Sequence, residues 1–143
     1  MDYLLPMSKV DRQLFASARS ARLATFGNGK PHLVPVVFAL SDGLVYTAVD
    51  HKPKTTPHLR RLRNISENPH VSLLVDHYDE DWSLLWWIRV DGTAKAWPPE
   101  STDGGNGIDA LVDKYPQYQR VRPTGPVIAV DPDKWTGWSA VGP

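Results

Sequence analysis

Short apolar runs separated by turn residues dominate the chain and predict a mainly β protein. Six runs have the length and composition of strands: 22–26, 32–40, 44–49, 71–75, 83–90 and 127–130. Turns rich in Gly, Asn and Asp follow the first run (27–29) and the second (41–43), which predicts hairpins. Pro35 predicts a bulge or a sheet edge within the second strand, and 91–92 predicts a turn or bulge after the fifth. Together these features favour a small closed antiparallel barrel.

Helical patterns occur in three places between or before the strands. Ser8 has the character of an N-cap, and apolar residues then recur at helical spacing to about Arg19. A second helix is predicted at 58–67, ended by the proline at position 69. A third is predicted at 104–115 after glycine-rich residues. We expect these helices to lie around the barrel.

Composition is that of one ordinary globular domain spanning residues 1–143. Sixteen basic residues balance sixteen acidic ones, so no overall field favours nucleic acid or an anionic membrane. The absence of cysteine excludes disulfides, thiol catalysis and thiolate metal sites. The first residues lack the pattern of a signal peptide, and no apolar run reaches the roughly 20 residues of a membrane span. We therefore expect a cytoplasmic protein.

A concentration of positive charge between positions 52 and 64 is the strongest functional signal. Five cations and no acid occur there: Lys52, Lys54, Arg60, Arg61 and Arg63. The basic loop leads directly into a predicted helix, whose first N–H groups favour an anion, and lysine with arginine suits a phosphate. Arg60 and Arg63 are three residues apart, and a solvated helix face explains them at least as well.

No catalytic or metal-binding constellation is visible beside this anion site. The nucleophile elbow G-x-S-x-G is missing, and the five histidines lack the spacing of metal ligands. The polar run 76–81 is better explained as a loop or a strand end than as a metal site. Six tryptophans, many for this length, suit interfaces and ligand-lined clefts.

Nearly the whole chain resembles the flavin- and deazaflavin-binding split-barrel family related to pyridoxamine 5′-phosphate oxidase, most closely its actinobacterial branch using coenzyme F420. The strongest matches are GNGKPHLVPVVFAL (27–40), LVYTAVDHKPKTTPHLRRLRNISENPHVSLLVDHY (44–78) and DWSLLWWIRVDGTAKAW (81–97). Lesser matches are YPQY (115–118) and VIAVDPDKWTGWSA (127–140). The resemblance implies a six-stranded antiparallel split β-barrel of the FMN-binding type, and a homodimer with cofactor sites at the subunit interface.

The resemblance also implies which residues hold the cofactor. Those expected at the phosphate-bearing tail are Lys54, Thr55, Arg61 and Asn64, with Lys52 as a neighbour. Those expected along the isoalloxazine ring are Pro35, Val36 and Val37. Trp82, Trp86 and Trp87 match a strand at the dimer seam, where a core role and cofactor contact are equal alternatives.

The function implied is an F420-dependent oxidoreductase that reduces an unsaturated organic substrate by hydride transfer. In such a reaction the cofactor carries the chemistry and the protein orients it, which agrees with the missing acid–base constellation. One alternative is a non-enzymatic carrier or sensor of deazaflavin or haem. Another is an FMN-dependent oxidase of a phosphorylated amine. The basic cluster suits either phosphate, and the resemblance favours the deazaflavin.

Overall fold

The computed structural model describes residues 4–49 and 57–140, except the side chains of residues 57–59. The elements follow in the order β1 (Leu4–Pro6), α1 (Arg12–Ser17), β2 (Ala21–Gly27), β3 (Lys30–Val36), β4 (Ala39–Ser41), β5 (Leu44–Ala48), α2 (Pro57–Glu67), β6 (His70–His77), a 3-10 turn (Trp82–Leu84), β7 (Trp86–Trp97), α3 (Thr102–Lys114), α4 (Pro116–Arg120) and β8 (Val127–Ala140). None of the helices in these described ranges has the length and apolar character needed to cross a bilayer.

The strands form one antiparallel sheet in the order β3-β2-β6-β7-β8-β5-β4, and β1 pairs with β8. Strands β3 and β4 lie at opposite ends of this order although only Val37 and Phe38 separate them in the chain. These two residues therefore join the two ends of the sheet into a barrel. Counting β3 and β4 as two parts of one strand, the barrel has six long strands plus the short β1. The predicted split barrel is confirmed.

One predicted strand is divided in the structure. The run 32–40 was expected to be continuous, but its first part pairs with β2 and its second part with β5. A chain cannot follow both neighbours without leaving the ladder, so pairing stops at Val37 and Phe38. The prediction for Pro35 is confirmed, because β3 pairs with β2 alone within the described residues and forms an edge.

The hairpin turns agree with the sequence pattern. Asn28 and Gly29 have φ values of 53° and 71°, and Asp42 and Gly43 have φ values of 50° and 80°. Two consecutive positive φ values are the signature of the tight turns that match the twist of paired strands. The predicted irregularity after the fifth strand is a bulge, since the register of β7 against β8 shifts between Asp91 and Gly92.

Four predicted element bounds were wrong. The fifth strand, expected over 83–90, begins only at Trp86, because the residues before it form the 3-10 turn Trp82–Leu84, which the Asp81 side chain caps. Helix α1 is capped by Asp11, whose side chain accepts from the Leu14 amide at 3.0 Å, and not by Ser8. Helix α3 begins earlier than predicted because Ser101 caps it, so the glycines lie inside the helix. Strand β8 runs to Ala140, well beyond position 130, and its polar exposed middle hides the strand pattern.

The barrel interior holds the core. It is filled by aliphatic side chains that alternate along β2, β6, β7 and β8, among them Leu23, Leu73, Ile88 and Val130. At one end, Phe15 of α1 closes the barrel, with its ring 5.0 Å from that of Phe38 and 5.1 Å from that of Trp135. Side chains that point outward from the same strands are then available for a site.

Candidate functional site

A cavity of about 270 Å³ lies where β3 ends beside helix α2. Its walls come from five parts of the chain: Ser20, Pro35, Val36, Val37, Thr47, Ala48, Arg61 and Tyr118. We call it the Arg61 cavity. It brings together four of the residues predicted to contact a cofactor, namely Pro35 and Val36 at the end of β3, Val37 directly after it, and the arginine of α2.

Arg61 is the charged group of this cavity and is only 6% exposed. Its neighbour Arg63 is exposed and Arg60 is half-buried, so the solvated-face interpretation fits Arg63 best. The positive charge of this helix also affects a residue of the neighbouring sheet. Burial, and then the nearby charges of Arg60 and Arg61, lower the pKa of His32 in β3. The arrangement provides a guanidinium fork at a cavity wall within a positive local field, which suits a phosphate.

Asn64 lies one helical turn beyond Arg61 but is not among the cavity walls. It is 4% exposed, and its Nδ2 donates to the Thr25 hydroxyl of β2 at 3.0 Å. A Cβ atom at Gly27 would lie 2.2 Å from Asn64 Oδ1, so the glycine leaves the space that this side chain fills. Asn64 thus holds α2 against β2. Its predicted contact with a phosphate stays a prediction.

Three predicted site residues, Lys52, Lys54 and Thr55, lie outside the described residues. The chain re-enters the described part at position 57, where α2 begins, one turn before Arg61. Their predicted roles at the phosphate-bearing tail therefore also stay predictions.

Two of the three predicted tryptophans line a second cavity, of about 330 Å³. Its walls are mostly apolar. They come from β1, the end of β6, the start of β7 and the residues next to these two strands: Leu4, Leu74, Asp76, His77, Tyr78, Leu85, Trp86, Trp87 and Arg89. We call it the Trp86 cavity. The Trp86 ring stacks on His77 with centroids 5.9 Å apart, and Trp87 stacks on Trp138 at 6.2 Å. Trp82 is 52% exposed and lies on the 3-10 turn; it is not a wall of this cavity, but its Nε1 donates to the hydroxyl of the wall residue Tyr78 at 3.4 Å.

Strand β2 separates the two cavities. Arg22 is in register with Pro35 on one side and with Leu74 on the other. Its Nη1 lies 3.7 Å from Asp76 Oδ1, so it bridges to a wall of the Trp86 cavity. The ring-contacting residues predicted from β3 and the tryptophans predicted from β7 therefore occupy neighbouring parts of one surface.

Sequence reasoning missed four residues of the Arg61 cavity: Ser20, Thr47, Ala48 and Tyr118. Tyr118 belongs to the short helix α4, which was not predicted, although YPQY was among the lesser matches to the family. Thr47 is a polar residue in an otherwise apolar strand, and that was the available signal. In the described part of the chain, no group of three or more His, Asp or Glu side chains could hold a metal ion.

Comparisons with known proteins agree with this architecture. Residues 7–139 match the family model described as pyridoxamine 5′-phosphate oxidase. No curated protein matches the chain.

Several solved structures share the fold at low sequence identity. An FAD-binding protein from Mesorhizobium loti is 19% identical with a TM-score of 0.74, covering 96% of this chain and 99% of its own. An FAD-binding protein from Mycobacterium smegmatis is 20% identical with a TM-score of 0.57, covering 87% and 88%. A haem storage protein from Vibrio cholerae is 16% identical with a TM-score of 0.67, covering 86% and 88%.

Proposed function

Since the chain belongs to the pyridoxamine 5′-phosphate oxidase family, we propose that its Arg61 cavity binds a flavin-type cofactor, with the deazaflavin coenzyme F420 as the first choice. The protein then acts as an oxidoreductase that reduces an unsaturated organic substrate. The observation that carries this proposal is the meeting of a buried arginine with the end of an edge strand in one cavity.

The walls of the Arg61 cavity suit the two chemical parts of such a cofactor. The guanidinium of Arg61 offers paired donors to a phosphate, and the exposed Pro35 with the half-buried Val37 offers an apolar platform for a planar ring. Tyr118 adds a polar side chain to the wall, whereas the Thr47 hydroxyl donates to the carbonyl of Val37 at 2.8 Å and so fixes the wall itself. At about 270 Å³ the cavity is slightly smaller than a typical complete ligand site, so part of the cofactor extends beyond it. We place the phosphate-bearing tail toward Lys52, Lys54 and Thr55.

When bound, the reduced deazaflavin supplies a hydride, and the residues of this chain bind and orient it. Holding a reactive carbon close to its acceptor is itself a large contribution to rate. The Trp86 cavity, across β2 from the ring-binding wall, offers a mostly apolar space bounded by aromatic rings. We place the organic substrate on this side of the bound ring.

A homodimer is part of the proposal. Exposed apolar side chains surround the approach to the Trp86 cavity, namely Tyr78, Trp82 and Leu84, each more than half exposed. Apolar groups clustered in this way favour an interface. A second copy of the chain covering them would close the substrate side of the cofactor site. Sedimentation equilibrium is expected to give twice the mass of the chain, and a monomer at every concentration would contradict this part.

Two other classes of cofactor, flavins and haem, are supported by proteins that share the fold. Proteins from Mesorhizobium loti and Mycobacterium smegmatis that share it are FAD-binding, which supports FMN or FAD as a second choice. The shared fold of a haem storage protein from Vibrio cholerae supports a carrier that performs no turnover. The three possibilities differ in which ligand is bound and in whether a bound, reduced cofactor is consumed.

The test is a set of parallel titrations of the purified protein with coenzyme F420, FMN, FAD and haem, followed by tryptophan fluorescence. The proposal expects micromolar or tighter binding of coenzyme F420 and its oxidation when an unsaturated acceptor is added to the reduced form. Preference for FMN or FAD would replace the deazaflavin assignment. Preference for haem, or tight binding of reduced F420 without turnover on a broad acceptor panel, would favour the carrier. Binding of none of the four would overturn the proposal.

A further inference from the structure

The break between β3 and β4 is held by two side chains from the end of helix α3. The amide of Phe38 donates to the Tyr115 hydroxyl at 3.1 Å, and the carbonyl of Phe38 accepts from Lys114 Nζ at 2.9 Å. The Tyr115 hydroxyl also lies 3.0 Å from the same carbonyl. These side chains therefore satisfy the backbone of Phe38 at the point where the sheet ladder stops.

The same two side chains reach a second segment of the chain. Lys114 Nζ donates to the carbonyl of Ala18 at 2.7 Å, and the Tyr115 hydroxyl lies 3.0 Å from the carbonyl of Arg19. The next residue, Ser20, is a wall of the Arg61 cavity. The residue before Phe38 is Val37, another wall of that cavity. Lys114 and Tyr115 thus bridge two walls without lining the cavity.

Packing makes this bridge rigid. Tyr115 is 6% exposed, and Lys114 Nζ lies 3.9 Å from the centroid of the Phe38 ring. The polar partners of Lys114 Nζ at this bridge are backbone carbonyls, and Arg19 packs over the Tyr115 ring at 4.7 Å. Buried polar groups bonded in this way lose much when one partner is removed, so the backbone at the break has little freedom to shift.

We propose that Lys114 and Tyr115 are positioning residues that set the backbone at Val37–Phe38 and thereby the surface on which the ring of the cofactor rests. This inference rests on the proposed function of the Arg61 cavity. The phosphate is bound by Arg61 on α2, which is a different element from the one that carries the bridge. The bridge is therefore expected to control recognition of the ring and not of the phosphate.

The test uses two ligands that differ only in the phosphate-bearing tail. These are FMN and riboflavin, or coenzyme F420 and its phosphate-free deazariboflavin, whichever pair the wild-type protein binds. Tyr115→Phe and Lys114→Met are each expected to weaken both members of the pair equally, by about tenfold, the effect of a lost buried hydrogen bond. The visible absorption band of the bound ring is expected to shift as well. Arg61→Gln is expected to weaken only the phosphate-bearing member.

Matched controls and outcomes follow from the structure. Thr93→Val removes an exposed hydroxyl bonded to Asp133, and Lys95→Met removes an ammonium that lies 4.2 Å from the centroid of the Trp97 ring. Neither residue lines either cavity, so both variants are expected to leave affinity and spectrum unchanged. If wild type binds neither pair, the proposed function fails. If wild type binds but the two bridge variants keep its affinity and spectrum, or lose affinity only for the phosphate-bearing ligand, this inference alone is overturned.

A second variant at the break keeps the inference testable if Tyr115→Phe does not fold. The Thr47 hydroxyl donates to the carbonyl of Val37 at 2.8 Å, next to the bonds made by Tyr115. Thr47→Val removes this bond with little change of shape. It is expected to give the same parallel loss for both ligands, and unchanged binding of both in a folded Thr47→Val would count against the inference.

Discussion

The hydroxyl oxygen of Tyr115 lies 3.1 Å from the amide nitrogen of Phe38 and 3.0 Å from its carbonyl oxygen, across a separation of 77 residues. Phe38 is one of the two residues that join opposite ends of the sheet, so its backbone cannot use the strand ladder. The Tyr115 hydroxyl, at the end of a peripheral helix, bonds the Phe38 backbone where no neighbouring strand in the described residues does so. The closure of the barrel and the shape of the Arg61 cavity wall therefore depend on the same contact.

We predict that Tyr115→Phe lowers the free energy of unfolding by about 1–3 kcal/mol, because it leaves the buried amide of Phe38 without its acceptor. Tyr78→Phe is the matched control, since its hydroxyl is on an exposed side chain bonded to Glu80, and its effect is expected within about 0.5 kcal/mol. Urea denaturation of the three proteins measures both values. Equal stability of Tyr115→Phe and wild type would show that the bond contributes nothing.

The packing of α2 against β2 gives a second prediction, at Gly27. An alanine Cβ there would lie 2.2 Å from Asn64 Oδ1 and 3.1 Å from Asn64 Cα, and the buried Asn64 has little room to move. Gly27→Ala is therefore expected to lower the free energy of unfolding by about 1–3 kcal/mol through overpacking. Thermal and urea unfolding check this value.

The control for that substitution is Gly105→Ala in helix α3. Nothing lies within 4 Å of a Cβ at this position, and alanine is the better helix former, so we expect a stability gain of up to about 1 kcal/mol. Two Gly→Ala changes are thus predicted to have opposite signs. A neutral or stabilising Gly27→Ala would contradict the close approach of α2 to β2.

The ammonium of Lys114 predicts a dependence of stability on pH. Burial, and then the charge of Arg19, lower the pKa of Lys114 to about 8 in the folded protein, against 10.5 for an ordinary lysine. Between these values the unfolded chain binds more protons than the folded one, so the free energy of unfolding rises with pH. This contribution is present above pH 10.5 and is lost as pH falls through 8.

Denaturation at a series of pH values from 7.5 to 9.5 tests that sign, with Lys114→Met as the comparison. This range lies below the window in which the raised pKa values of the buried Tyr46 and Tyr115 reduce stability, which begins near their ordinary value of 10. The wild-type curve is expected to rise more steeply than that of Lys114→Met. Parallel curves would mean that Lys114 titrates as an ordinary exposed lysine.

Local backbone chemistry explains why much of the fold could be predicted. Asn28-Gly29 and Asp42-Gly43 adopt positive φ at little cost, so each turn is encoded by its own residues. Pro35 marks a sheet edge for an equally local reason, its missing N–H. Arg61 stood out because the basic cluster at 52–64 contains no acid in a chain of zero net charge.

The parts that could not be predicted depend on distant contacts. The run at 32–40 is apolar throughout from Leu33 onward. Its division at Val37–Phe38 follows from the closure of the barrel and from side chains more than seventy residues away. The position of Tyr118 at the Arg61 cavity likewise depends on contacts between residues that are distant in the sequence. The exposed middle of β8 lacks an apolar pattern, because its pairing with β7 and not its burial keeps it extended.

The central claim, that the Arg61 cavity holds the phosphate of a flavin-type cofactor, is tested most directly by an equilibrium titration of wild type, Arg61→Gln and Arg63→Gln with the cofactor that wild type prefers. The two arginines lie on the same helix and carry the same charge, but only Arg61 is buried at the cavity wall. Arg61→Gln is predicted to weaken binding by about 1.5–3 kcal/mol, roughly 10- to 150-fold, and Arg63→Gln by less than about twofold. Equal affinities for all three proteins would contradict the claim.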